Sequence, residues 1–256
     1  MINIPDSVTI QRLKAREGEL YQVGREWLEK DERSPGIHAS GLLDRRLAWF
    51  NAKFPGPLPD RLVTMFMIGR VLHAFVLGSH AGSVDIGSAD SGSRRCDLGF
   101  DYSPDSFLDG KVREVKTSRS FYEPKSLDDV SMYVEQLLVY MVATETTESE
   151  LWVLFLNLKD ETGKTSPAFR CYTVRISDQD LQALRGEIAA STAELQAAMD
   201  SPDPEAFRQL ELCRPWKCGA KNCEFYDRCQ PEGRYGDPKW DSAERTSKAR
   251  TPKKPR

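Results

Sequence analysis

Val112-Arg113-Glu114-Val115-Lys116-Thr117 sets an acid and a lysine one apolar residue apart. Side chains alternate across a β-strand, so on a strand Glu114 and Lys116 share one face. Upstream, Arg94–Tyr102 reads as a partner strand with Cys96, Leu98 and Phe100 facing one way and Asp97, Gly99 and Asp101 the other. The stretch between them, Ser103-Pro-Asp-Ser-Phe-Leu-Asp-Gly110, carries turn chemistry and reads as the loop of a hairpin. With Tyr102 paired to Lys111, Asp97 lies opposite Lys116 and diagonal to Glu114, roughly 7 Å away between Cα atoms. Asp101 is the rival, also diagonal to Glu114 but on the side away from Lys116. A one-residue slip in register undoes this placement. Two carboxylates that share a divalent cation beside a lysine are the minimum equipment for metal-assisted phosphodiester hydrolysis. An acid-x-lysine strand alone is most often a solvated sheet face, so the flanking sequence has to carry the case.

Pro59–Gly78 reads as a helix with a broad apolar stripe, Leu62, Met65, Phe66, Ile68, Gly69, Leu72 and Phe75. Gly69 costs a helix about 1 kcal/mol relative to alanine, which predicts a close approach there. His73 follows one turn on; a lone helical histidine is usually a core residue, but a neutral imidazole also ligates Mn²⁺-like ions. Leu127–Glu145 reads as a second helix, on which Gln136 and Tyr140 stack at i and i+4. Two strand-like runs follow, Leu151–Leu158 and Ala168–Ile176; the first is nearly all apolar, as in a strand covered on both faces.

In this order, Gly69-x-x-x-His73, Asp97, Glu114-Val-Lys116 and Gln136-x-x-x-Tyr140 resemble the motifs of the PD-(D/E)XK nuclease superfamily. Within it the chain is similar to the RecB-like exonucleases of CRISPR systems and phages, from about Gly36 to Cys229. The resemblance implies His73, Asp97 and Glu114 as ligands of Mg²⁺ or Mn²⁺, with the Val115 carbonyl as a fourth. It implies Lys116 as the group that positions or activates the attacking water, and Gln136 and Tyr140 as supports of the site. Cys96 stands where the family's usual proline precedes the first acid.

Cys213, Cys218, Cys223 and Cys229 crowd one segment in the pattern C-x4-C-x4-C-x5-C. Four thiolates can meet at one tetrahedral zinc or at an iron–sulfur cluster. Disulfides are the competing reading. The start, Met1-Ile-Asn-Ile-Pro-Asp, lacks the basic and apolar regions of a signal peptide. A cytoplasmic, reducing location is therefore expected, which disfavours disulfides. The resembling exonucleases carry an iron–sulfur cluster with one cysteine near the N-terminus; here Asp44 or Arg45 stands about there. The resemblance therefore implies a [4Fe-4S] cluster with Cys213 completing the set, and structural Zn²⁺ is the alternative. Cys96 and Cys171 fall in strand-like runs and read as small buried hydrophobes.

The chain has 256 residues and a formal net charge of −3. It carries no apolar run of the ~20 residues a membrane helix needs, so no membrane is expected as a partner. A local basic groove rather than a basic total is what DNA binding requires. Arg45, Arg46 and Arg113 are candidates, and Arg94, Arg95 and Arg119, which bracket the metal, are the preferred phosphate contacts.

Ser7–Glu32 reads as a charged helix, His38-Ala-Ser40 opens another with Ser40 as cap, and Ser177–Asp200 carries the stripe Leu181, Leu184, Ile188 and Leu195. Trp240–Arg256 reads as a disordered tail. The expected fold is α/β, a mixed central β-sheet flanked by helices (a restriction-endonuclease-like core) with a C-terminal metal-cluster clasp. The expected organisation is a helical segment at 1–35, the nuclease core at 36–205, the cysteine segment at 206–236 and the tail at 237–256. The expected activity is a metal-dependent exonuclease acting on single-stranded DNA or duplex ends, with Tyr133 or Tyr140 stacking on an unpaired base. It would serve recombination, repair or CRISPR adaptation, with a recombination, helicase or adaptation protein as partner. A structure-specific endonuclease on the same fold and a non-catalytic DNA-binding adaptation partner are the alternatives.

Overall fold

The computed structural model describes Gln22, Glu26 and residues 36–57, 60–81, 94–108, 110–124, 131–213, 218 and 223–229, with the side chains of 61, 72–81, 108 and 131 outside that description. In chain order the elements are α1 (Ala39–Leu42), α2 (Arg45–Lys53), α3 (Asp60–Ala81), β1 (Arg94–Arg95), β2 (Asp101–Tyr102), β3 (Ser106–Leu108), β4 (Lys111–Ser118), α4 (Ser131–Thr144), β5 (Glu148–Lys159), β6 (Thr165–Arg175), α5 (Asp178–Asp200), a 3₁₀ turn (Ala206–Gln209) and α6 (Tyr226–Cys229). Contacts divide the chain into two compact units. One is Met1–Gly36 with Gly56–Gly186, and the other is Ile37–Pro55 with Glu187–Arg256.

The first unit is built on a four-stranded mixed sheet in the order β3-β4-β5-β6. β4 pairs antiparallel with β3, parallel with β5, and β5 pairs antiparallel with β6. Parallel strands need a long crossover, and α4 supplies it between β4 and β5. Helices α3 and α4 both pack on β4, and α4 also on β5. Val112 to Val115 are buried without a break, so β4 is covered on both faces. Leu137 and Met141 of α4 and Leu151, Val153 and Phe155 of β5 complete the core around it.

The second unit is organised by aromatic rings. Phe50 of α2 stacks on Phe225 at 5.1 Å between centroids and meets Phe207 at 4.7 Å. Trp49 packs on Phe207 at 5.2 Å and donates its indole N–H to the Ala198 carbonyl at 2.9 Å. The adjacent arginines tie the C-terminal segment to α2. Arg45 bridges Glu194 and Glu211, and Arg46 donates to the carbonyls of Leu210 and Arg208.

The mixed sheet flanked by helices is as the sequence predicts, and α5 covers the expected stretch with Leu181, Ile188 and Leu195 buried. The hairpin is not. Arg94–Arg95 pairs with Asp101–Tyr102 rather than with β4, closing a small hairpin of its own around Gly99 at φ 90°. The strand beside β4 is Ser106–Leu108, which lies in the stretch read as loop, with Gly110 at φ 72° where the chain reverses. An Asp-Gly turn is a strong hairpin signal, and here it acts locally on the residues just before it. Ser40 lies inside α1, whose N-cap is His38 without a side-chain cap bond. Cys96 is buried as expected, but Cys171 is exposed, on an outward position of edge strand β6. The helix expected at Ser7–Glu32 and the tail at Trp240–Arg256 lie outside the described residues, apart from helical Gln22 and Glu26. No helix among the described residues is long and apolar enough to cross a membrane.

Among the described residues Gly69 does not mark a close approach: a Cβ built on it meets none of their atoms within 4 Å. Gly69→Ala is therefore expected to raise stability by about 1 kcal/mol, read as a higher midpoint in urea unfolding; a lowered midpoint would indicate a packed neighbour.

Candidate active site and cysteine cavity

Glu114 and Lys116 stand on one face of β4, as strand alternation requires, and their side chains form an ion pair. Glu114 is 1% exposed and the Lys116 side chain 20%. The second carboxylate at this pair belongs to Asp105. It immediately precedes β3, where the β3–β4 register carried one step past Ser106↔Arg113 sets it opposite Glu114. Its Oδ2 accepts the Val115 backbone N–H at 2.7 Å. Burial works against charge on Lys116, but the carboxylates of Glu114 and Asp105 outweigh it and hold the ammonium's proton more tightly than usual. Tyr133 of α4 stands near enough to feel that charge. Its own burial raises its phenol pKa, and Lys116 opposes the rise. On the same helix Gln136 donates to the Tyr140 hydroxyl at 2.8 Å.

The sequence reading placed Asp97 diagonal to Glu114, and that argument fails with the hairpin register. Asp97 lies in the turn between β1 and β2, its side chain 68% exposed and ion-paired with Arg185. Asp101 is buried and bound to Arg95. Asp105 was read as loop; the signal that finds it is Pro104-Asp105 followed by the Asp109-Gly110 turn, nine residues before Glu114. His73 lies on α3, and its side chain falls outside the described residues. Val115 is buried beside Glu114. Tyr140 is 5% exposed, so its ring is enclosed rather than offered to a base.

Of the arginines expected at phosphate, Arg95 is engaged by Asp101, Arg94 lies over the Phe107 ring, and Arg119 is exposed directly after β4. Arg113 is buried against Glu150 and the Trp152 ring. Arg45 and Arg46 clasp the C-terminal segment instead of facing a groove.

In the second unit Cys213, Cys218, Cys223 and Cys229 line one cavity together with Arg46, Leu47 and Phe50. Burial pushes the Cys213 thiol up to about 12; the Leu47 backbone hydrogen bond opposes this, and Asp44, Cys218 and Cys223 add to it. Cys223 is raised mainly by burial as well, with Cys218 and Cys229 contributing. Arg46 Nη1 lies 3.6 Å from the Cys229 Sγ. The spaced cysteines are thus gathered at one place, although among the described residues no group of three or more His, Cys, Asp or Glu is arranged to hold a metal ion.

No family model matches the chain, and no curated protein matches it in sequence. The solved structure of SSO0001 shares its fold with a TM-score of 0.52 at 17% identity, covering 86% of this chain and 98% of that one. A phage related exonuclease from Haemophilus somnus 129PT gives a TM-score of 0.42 at 9% identity, over 62% of this chain and 92% of that one. At such identities the likeness to SSO0001 concerns the fold alone.

Removing the ammonium takes the ion-pair partner from a buried carboxylate. Lys116→Ala is expected to lose about 3–5 kcal/mol of stability in denaturant unfolding without divalent cations, against a far smaller loss for Arg185→Ala at the exposed Asp97 pair. Equal losses would place the two pairs in similar surroundings.

Proposed function

We propose that the chain is a metal-dependent deoxyribonuclease of the PD-(D/E)XK superfamily, of RecB-like exonuclease type, acting on single-stranded DNA or duplex ends. The observation that carries this reading is the convergence of Asp105, Glu114 and Lys116 across β3 and β4. Pro104-Asp105 and Glu114-Val115-Lys116 fill the superfamily's pattern, and the proline missing before Asp97 is present before Asp105.

The donor chemistry fits a hard divalent ion. Two carboxylates already gather around one positive charge, the Lys116 ammonium, and carboxylate and carbonyl oxygens are what Mg²⁺ and Mn²⁺ take. Asp105, Glu114, the Val115 carbonyl and His73 hold the ion in this reading, with Asp105 in the role first expected of Asp97. When bound, such an ion lowers the pKa of a coordinated water and polarises a phosphate oxygen. Lys116 keeps its proton at neutral pH, so it serves as a fixed cation that orients the attacking water and offsets charge developing on the phosphate. Gln136 and Tyr140 brace α4 against the site.

The test is cleavage of 5′- and 3′-labelled single- and double-stranded DNA with Mn²⁺. Wild type and Asp97→Ala are expected to degrade DNA, while Asp105→Ala and Lys116→Ala lose at least about 100-fold in rate, the scale of removing a positioned electrostatic or acid–base group. Degradation by Asp105→Ala with loss in Asp97→Ala reverses the ligand assignment. An inert wild type on every substrate removes the nuclease reading.

The four cysteines are proposed to hold a [4Fe-4S] cluster, with structural Zn²⁺ as the alternative. Four thiols lining one cavity are the donor set of both. The group supplies cross-links that fasten the C-terminal segment to α2. Metal must displace protons from thiols that hold them unusually tightly. Apparent affinity is therefore expected to rise with pH, and Cys218→Ala to lower the bound metal. Anaerobic purification with metal analysis and visible absorbance checks this: broad brown absorbance assigns iron, zinc without colour assigns the alternative, and neither metal overturns the clasp.

A further inference from the structure

Beyond Lys116, β4 runs out at Ser118 into a loop that leaves two adjacent aromatic rings in solvent, Phe121 at 48% and Tyr122 at 62% exposure. Single exposed aromatics are ordinary. These two differ in how their backbone is held. Ser120 N–H donates to the Ser118 hydroxyl, and the Ser120 hydroxyl donates to the Tyr122 carbonyl while accepting the Tyr122 N–H. From the end of β5, the Lys159 N–H donates to the Phe121 carbonyl at 2.9 Å. The loop is therefore fixed by its own hydroxyls and by the sheet.

Lys159 also places its ammonium over both rings, 5.4 Å from the Phe121 centroid and 5.3 Å from that of Tyr122. Arg119 is exposed between Lys116 and the rings. Nearby, Glu123 pairs with Arg170, and Asp160 accepts the Thr162 and Lys164 N–H groups of its own turn. The Lys159 ammonium is the cation that lies on the rings themselves.

Single-stranded nucleic acid is bound by aromatic faces on which bases stack, set in a positive track for the backbone. We infer that Phe121 and Tyr122, flanked by Lys159 and Arg119, form a stacking platform for unpaired bases of a DNA single strand. The choice of DNA rests on the nuclease reading above. Phe121 is five positions after Lys116, at most about 18 Å of chain, so the platform holds the strand within a few nucleotides of the phosphate at Lys116. A pinned loop avoids the ordering cost that a flexible one incurs on binding.

The test is fluorescence anisotropy in EDTA, where no metal-dependent cleavage occurs. The probes are a dye-labelled oligothymidylate, an abasic oligomer of the same length and a blunt duplex. Phe121→Ala/Tyr122→Ala is expected to bind oligothymidylate about 5- to 100-fold more weakly than wild type. Phe121→Tyr/Tyr122→Trp should retain affinity, and binding of the abasic oligomer should be unchanged by either pair of substitutions. Oligothymidylate binding unchanged in the alanine variant overturns the platform, as does a wild type that prefers neither oligothymidylate over the abasic oligomer nor single strand over duplex. Stacking-dependent binding by a wild type that cleaves nothing with Mn²⁺ keeps the platform and removes the nuclease reading.

Discussion

A carboxylate and an ammonium share one face of β4 in the interior of the sheet, where neither is tolerated alone. Much of the first unit can be understood as what keeps that pair in place. Strand alternation sets Glu114 and Lys116 together, and β5 alongside fixes the strand's height in the sheet. Asp105 then locks the β3 side through the Val115 N–H. The carboxylates of Glu114 and Asp105 both act on the Lys116 ammonium and hold its proton. Tyr133 of α4 stands close enough to respond to the same ammonium.

The second unit solves a different problem. Its helices α1 and α2 are short, and its C-terminal segment contains the end of α5 from Glu187, a 3₁₀ turn and α6 among the described residues. Rings join the buried Ile188, Leu195 and Ala198 of α5 in its core, with Phe50 touching both Phe207 and Phe225. Arg46 serves two neighbours at once, backbone carbonyls on one side and the Cys229 sulfur on the other. An arginine fork suits this because its donors are held in one plane at fixed angles.

The sequence was legible where a pattern repeats along one element. The Glu-x-Lys alternation, the apolar run of β5 and the stripe of α5 each depend on one local period, and each appears in the structure. It was misread where two turns compete. Arg94–Tyr102 alternates well enough to look like one strand, but Gly99 folds it back on itself. Pro104-Asp105 looked like loop chemistry because a proline before a short strand carries the same residue types as a turn. Choosing between Asp97 and Asp101 was a matter of register, and Asp105 enters only because β3 rather than Arg94–Tyr102 pairs with β4. Gly69 misled for another reason: a helix tolerates a glycine at modest cost, so its presence alone implies no close neighbour. Arg45 and Arg46 looked like surface charge because their partners lie more than 140 residues away.

The second unit is discontinuous in sequence, with Ile37–Pro55 on one side of the sheet-bearing unit and Glu187–Arg256 on the other. On the ribosome, α2 emerges long before Phe207 and Phe225 exist. At synthesis rates of 5–20 residues per second, Trp49 and Phe50 wait roughly 10–30 s for their partners. During that interval two large rings and the Arg45-Arg46 pair have no native surface to join. The first unit, whose strands and helices lie within Gly56–Gly186, can complete its sheet in the meantime. Biosynthesis thus imposes an order that the finished structure conceals, with the sheet closing first and the aromatic unit only after the cysteine segment has been made.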